Sequence, residues 1–266
     1  MKRILGIVLS ALALWSLATP AAAGPTLDRI LSEKKMTIGV APSKNLVLMN
    51  PRTNEHEGFV ADDIRNFGKL TGIKVEFVET TWGGLIAGLQ AGKWDAIMTG
   101  LAATPERAAA IAFTEPYAYI GFSAMVRADS DVKTSADLDK PGNVIAVVAG
   151  AMEHTYVQRR FKQATIKTLT DVSPAILDVM QGSVKAYVGA TISNAIREKE
   201  RPKELRNVNF PKEDVEWNGL AHATRYADLD VLSFINTYVR AMKLRGYYKE
   251  LAAKWDFPPD FATGPN

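Results

Sequence analysis

The sequence predicts an α/β protein built on largely parallel sheets. Three observations carry this. Apolar strands alternate with amphipathic helices in the order β-α-β-α-β over residues 26–98. The same order returns over residues 144–188. Glycines stand where the helices should stop, at Gly72, Gly92 and Gly182.

Residues 26–33 read as a short helix, with Leu27, Ile30 and Leu31 on one face. A first strand follows at 36–40. A helix over 58–70 ends at Thr71-Gly72, and 74–78 alternates as a strand. Residues 82–91 give a helix and 95–98 a strand. The second unit opens with a strand at 123–127 and a polar, turn-rich stretch at 129–142. A buried strand at 144–148 leads through Gly150 into a helix to about 161. After a strand at 166–169, Asp171 or Ser173 caps a helix with Pro174 at its start, and 185–188 is a strand. Residues 219–223 look like a returning strand. A helical region over 228–255 breaks at Gly246, and 257–266 reads as a loosely ordered tail.

Residues 1–23 read as a secretory signal peptide. Lys2 and Arg3 precede an apolar run over 4–17 that is short for a membrane span, and Ala21-Ala22-Ala23 offers a cleavage site. A periplasmic protein is therefore expected. The chain has no cysteine, which excludes disulfides and thiolate chemistry. Lys2 and Arg3 supply two of the three net positive charges, so the rest of the chain is nearly neutral. Nothing in it suggests a nucleic-acid partner.

The stretch from Trp94 to Arg107 holds the strongest local signal. A strand runs into a loop of small residues, and Thr104-Pro105-Glu106 then starts a helix. Arg107 adds a rigid fork of donors suited to a carboxylate.

Several ordered motifs resemble the periplasmic substrate-binding proteins of polar amino-acid ABC transporters, solute-binding protein family 3. They are Gly58-Phe59 with Asp62, the run 82–97, Thr104-Pro105-Glu106-Arg107 and Phe113-Thr114-Glu115-Pro116-Tyr117. Ser135-Ala136-Asp137-Leu138, Gly246-Tyr247-Tyr248-Lys249-Glu250 and Lys254-Trp255 complete the set. The resemblance implies a two-lobed, type II periplasmic-binding-protein fold with two crossover hinge strands near 124–127 and 220–224. Lobe 1 is expected over 27–125 plus 222–256 and lobe 2 over 126–221, with the ligand between them. It also implies a permease of the inner membrane as partner, and a monomer. No cofactor, metal or catalytic residue is expected.

The family's carboxylate-gripping arginine falls on Arg107, and its hydrogen-bonding Ser/Thr-Gly pair on Thr99-Gly100. The next contact, usually a hydroxyl, is Ala102, which leaves only its backbone. Trp82 falls where relatives place a side chain against the ligand. The usual aromatic wall after the first strand counts to Lys44. The second-lobe loop, normally Gly-Thr-Thr, is Gly150-Ala151-Met152. The aspartate that pairs with an α-ammonium is Ala190 here.

A buried ammonium without a partner is costly. Unless Glu153 or another acid substitutes, this loss predicts an amine-free or modified organic anion as ligand, with Lys44 adding positive charge. Glu153 itself reads as a first-turn charge on its helix. Two alternatives stand. Cyclohexadienyl dehydratases share the scaffold and use a glutamate that here matches about Ser193; a hydroxyl cannot replace that acid. A sensory ligand-binding protein is the other.

Overall fold

Each of the repeated segments contributes one five-stranded sheet to the structure. The structure is a computed structural model, and it describes residues 24–211 and 216–264. The expected signal peptide lies outside these residues. Among them no helix is long and apolar enough to cross a membrane.

The first segment runs α1 (Pro25–Glu33), β1 (Lys35–Val40), the small hairpin β2 (Leu48–Asn50) and β3 (Glu55–Glu57), then α2 (Phe59–Thr71). It continues through β4 (Lys74–Glu79), α3 (Leu85–Gln90), β5 (Ala96–Ile97), α4 (Pro105–Ala108) and β6 (Ala112–Phe113). The second runs β7 (Ala118–Ile120), β8 (Phe122–Arg127), β9 (Val144–Val148), α5 (Met152–Arg160), β10 (Thr165–Leu169) and α6 (Val172–Gln181). It ends with β11 (Ala186–Ala190), α7 (Thr191–Glu200) and β12 (Leu205–Asn209). The chain then returns through β13 (Asn218–Leu220), β14 (Ala223–Thr224), α8 (Leu229–Leu244), α9 (Tyr247–Lys254) and α10 (Pro259–Thr263).

Strand order is β4-β1-β5-β14-β6 in one sheet and β10-β9-β11-β8-β12 in the other. In each, three strands joined by helical crossovers are parallel. One strand in each, β14 or β8, runs antiparallel to them, and the edge strand beyond it, β6 or β12, pairs antiparallel to that strand. The sheets are therefore more mixed than the sequence suggests, because β8 and β14 enter directly from the ribbon strands β7 and β13, without a crossover helix.

Two expectations shift. Residues 122–125, assigned to the first lobe, belong to β8, which pairs along its length with β11 and β12 of the second sheet. The crossing between sheets is instead the ribbon in which Ala118 pairs with Leu220 and Ile120 with Asn218. The described part of the tail, 257–264, is also not loose. Phe257 and Phe261 are buried against Phe59, at ring-centroid distances of 5.9 and 5.1 Å. Tyr117 and Tyr248 stack on the same ring, so α10 completes the first lobe's aromatic core. The break at Gly246 is as expected: its φ of 73° lets α8 end and α9 begin at once.

Candidate functional site

Parallel strands of an open α/β sheet deliver their carboxyl ends to one edge, and ligands collect there. Here β1 and β5 of one sheet face β9 and β11 of the other, and the loops leaving them enclose a cavity. One wall is Ser43, Leu46, Trp82, Gly100, Ala102 and Arg107. The opposite wall is Ala151, Met152, Glu153, Tyr187, Ala190, Ser193 and Arg197.

The loop after β1 is fixed by the start of α2. Phe59 N–H donates to Asn45 C=O at 2.8 Å, and Val60 N–H to Leu46 C=O at 2.7 Å. Two helix amides that would lack an intrahelical partner thus hold the cavity wall. Gly58 makes this possible. Its φ is 125°, and a Cβ there would collide with the Leu46 carbonyl.

Thr104 caps α4 as the sequence predicts, its hydroxyl accepting from Arg107 N–H at 3.4 Å, with Pro105 next. The helix is only Pro105–Ala108, too short to build much of a dipole. Anion attraction therefore rests on the Arg107 side chain. One guanidinium nitrogen donates to Ala102 C=O at 2.9 Å and the other to Gly150 C=O, also at 2.9 Å. The first carbonyl is on the near wall and the second on the far one, so the fork is aimed by both. Burial pushes the Arg107 pKa below its ordinary value, against the pull of Glu153 and Glu106.

Glu153 is in the first turn of α5, but it is not a solvated charge. It is buried in the cavity wall. Burial pushes its carboxyl above the ordinary value, only partly countered by its own backbone N–H and by Arg107. Tyr187 is buried beside it and is pushed further from ionising, so its hydroxyl keeps its proton.

Ala102, Trp82, Ala151, Met152 and Ala190 line the cavity, and so do Gly100 and Arg107. The Trp82 indole N–H donates to Pro42 C=O at 3.3 Å, which sets the ring as part of the wall. The remaining expected residues do other work. Thr99 is fully buried behind the wall: its hydroxyl donates to Ala41 C=O, and its carbonyl accepts from Tyr117 O–H at 2.8 Å. Gly150 acts through its carbonyl and lines the adjoining opening with His154.

Lys44 does not reach into the cavity. Its ammonium pairs with Glu200 on α7 at 2.6 Å, across the mouth between the two lobes. Attraction between opposite charges on facing lobes directs it there. The positive charge expected from Lys44 comes instead from Arg197, which sequence reasoning missed. Arg197 is four residues after Ser193 on α7, so helical spacing from that residue would have found it.

A two-lobed α/β structure with a cleft between mixed sheets is the architecture of the type II periplasmic binding proteins. Residues 36–259 match the bacterial extracellular solute-binding proteins, family 3, and the chain belongs to that family. It is 28% identical over 238 residues to the ABC transporter glutamine-binding protein GlnH of Bacillus subtilis, covering 86% of this chain and 84% of that one. It is 27% identical over 207 residues to the ABC transporter arginine-binding protein 1 of Escherichia coli, covering 77% and 83%. Among solved structures it resembles the ancestral amino acid-binding protein AncCDT-1, a precursor of cyclohexadienyl dehydratase. The TM-score there is 0.80 at 30% identity, over 86% of this chain and 99% of that one.

Proposed function

We propose that this protein is the periplasmic binding component of an amino-acid-type ABC importer, and that its cleft captures a small carboxylate-bearing solute on Arg107. The observation that carries the reading is the guanidinium of Arg107 in the cavity wall, aimed by one carbonyl from each side. Its fork matches a carboxylate.

The solute is an organic anion without a free α-amine, or an amino acid whose amine is modified. Three features support this. Ala190 has no carboxylate to offer an ammonium. Glu153 is the sole acid among the lining residues, and burial opposes its charge. Two arginines line the same cavity, so the lining is net positive. The relatives named for glutamine and arginine bring ligands with an α-ammonium, which this cleft is poorly equipped to pair.

Binding rather than turnover is the role. Ser193, at the position where dehydratases on this scaffold carry their acid, has a hydroxyl lying 3.5 Å from the Lys44 carbonyl. A hydroxyl does not protonate a leaving group near neutral pH. The names of the relatives, binding proteins of ABC transporters, support delivery to a membrane permease.

A thermal-shift screen of the protein without residues 1–23 tests the reading. A ligand that binds only the folded state raises the melting temperature by mass action. Amine-free carboxylates should raise it more than unmodified α-amino acids of the same length. The reverse order would return the α-ammonium to the site, with Glu153 as its partner.

A further inference from the structure

Arg197 reaches the cavity from α7, on the wall opposite Arg107. The two guanidinium groups differ in one respect. Arg107 gives one proton of each terminal nitrogen to a backbone carbonyl and keeps three donors. The Arg197 guanidinium makes no hydrogen bond and no ion pair with any described residue, although the residue is partly buried and burial pushes its pKa below the ordinary value.

The acids whose charge it feels are already engaged. Glu200 pairs with Lys44 at 2.6 Å. Asp171 caps α6 by accepting from Ser173 N–H at 2.9 Å. Glu153, the remaining acid of the lining, feels Arg107 and not Arg197, and burial opposes its charge. The Arg197 guanidinium has five donors that meet no acceptor among the described residues and are open to a solute in the cavity. Its fork best fits a planar, bidentate anion.

We propose that Arg197 holds a second carboxylate, so that the solute of this cleft is a small dicarboxylate gripped at one end by Arg107 and at the other by Arg197. This rests on the reading of Arg107 as carboxylate anchor. Each lobe then contributes one anion site, and only a molecule with carboxylates at both ends bridges them. The protonated Tyr187 hydroxyl, buried within the field of Arg197, is a further donor on that side. The apolar surfaces of Leu46, Trp82 and Met152 suit the short carbon chain between the ends.

Calorimetric titration of the protein without residues 1–23 tests this at pH 7. The probes are matched pairs of equal chain length, succinate with butyrate and glutarate with pentanoate. The proteins are the wild type, Arg197→Gln, Arg197→Lys and Arg107→Gln, each first shown to melt cooperatively. The wild type should prefer the dicarboxylates by roughly 100-fold, the scale of removing one partner from a shielded charge pair. Arg197→Gln should abolish that preference and leave monocarboxylate affinity within about three-fold, since a shielded charge acts on the group it faces. Arg197→Lys should keep part of it, because charge remains but the fork is lost.

A wild type that binds no dicarboxylate, or binds both members of a pair equally, overturns the proposal. So does an Arg197→Gln variant that weakens both members equally, which marks a structural role. Arg107→Gln separates the two readings. If it removes binding of monocarboxylates and dicarboxylates alike, the anchor stands whatever Arg197 does. If it changes neither while Arg197→Gln still removes the dicarboxylate preference, the anchor fails and the bridging proposal fails with it, leaving Arg197 as an anion site alone.

Discussion

Lys44 Nζ lies 2.6 Å from Glu200 Oε2, and this pair joins the first-lobe loop after β1 to the second-lobe helix α7. The Ser193 hydroxyl adds a bond of 3.5 Å to the Lys44 carbonyl. The pair belongs to closure and not to ligand recognition.

Lys44→Ala should therefore weaken every ligand by a similar factor, at most about five-fold, since half-exposed ion pairs contribute roughly 0–1 kcal/mol. The charge swap Lys44→Glu with Glu200→Lys should restore most of the loss. Calorimetric affinities of the two singles and the double check this. A ligand-specific loss in Lys44→Ala would instead put the side chain in contact with solute.

Gly150 meets Gly83 at the point where the lobes touch. A Cβ at Gly150 would stand 2.5 Å from Gly83 Cα, at a φ of 75°, whereas a Cβ at Gly83 finds its nearest neighbour at 3.9 Å. Gly150→Ala should oppose closure and cost about 1–3 kcal/mol of binding, about five-fold or more. Gly83→Ala should be close to neutral. Comparing the two by titration, with small-angle scattering for compactness on ligand addition, separates steric blockage from general damage.

The Glu153 carboxyl is held above its ordinary value of 4.5 by burial, which outweighs the attraction of Arg107. Folding thus favours its protonated form. That stabilising contribution is complete below about pH 4.5 and is lost as pH rises through the raised folded value. Glu153→Gln keeps position 153 neutral at every pH. Without ligand, its melting temperature at pH 7 should exceed that of the wild type by about 2–4 °C for each kcal/mol recovered. The gap should close as the pH falls toward 4. A gap that stays constant between those values would rule out the buried-acid account.

Phe261 is 1% exposed and packs edge-on against Phe59. Phe261→Ala should cost roughly 3–5 kcal/mol, lowering the melting temperature by about 10 °C. Calorimetric melting measures it directly. A loss under about 1 kcal/mol would mean that α10 rests on the core without supporting it.

Much of this was legible in the chain. Hydrophobic spacing and the stop glycines gave the β-α-β order, and Thr104-Pro105 marked the start of α4 where the structure has it. The placement of β8 was not legible. Its apolar residues would suit either sheet, and only pairing with β11 and β12 decides between them. The tail was misread because proline and glycine signal turns, while Phe257 and Phe261 find their partners some 200 positions away in the chain. In the site, a backbone-aimed residue such as Arg107 could be read from its neighbours. Lys44 and Arg197 could not, since which cation enters the cavity depends on Glu200, brought across the cleft by folding.

The ribbon between the lobes also has hold of the carboxylate loop. Ala103 N–H donates to Gly219 C=O at 2.9 Å, and Ala221 N–H to Leu101 C=O at 3.0 Å. These bonds flank Ala102, whose carbonyl aims Arg107. Bending at residues 218–220 and gripping a solute are thus registered by neighbouring peptide groups. A change that softens this ribbon should alter how long a solute is retained without touching any atom in contact with it. Residence time in the cleft would then be set at the joint as much as in the pocket.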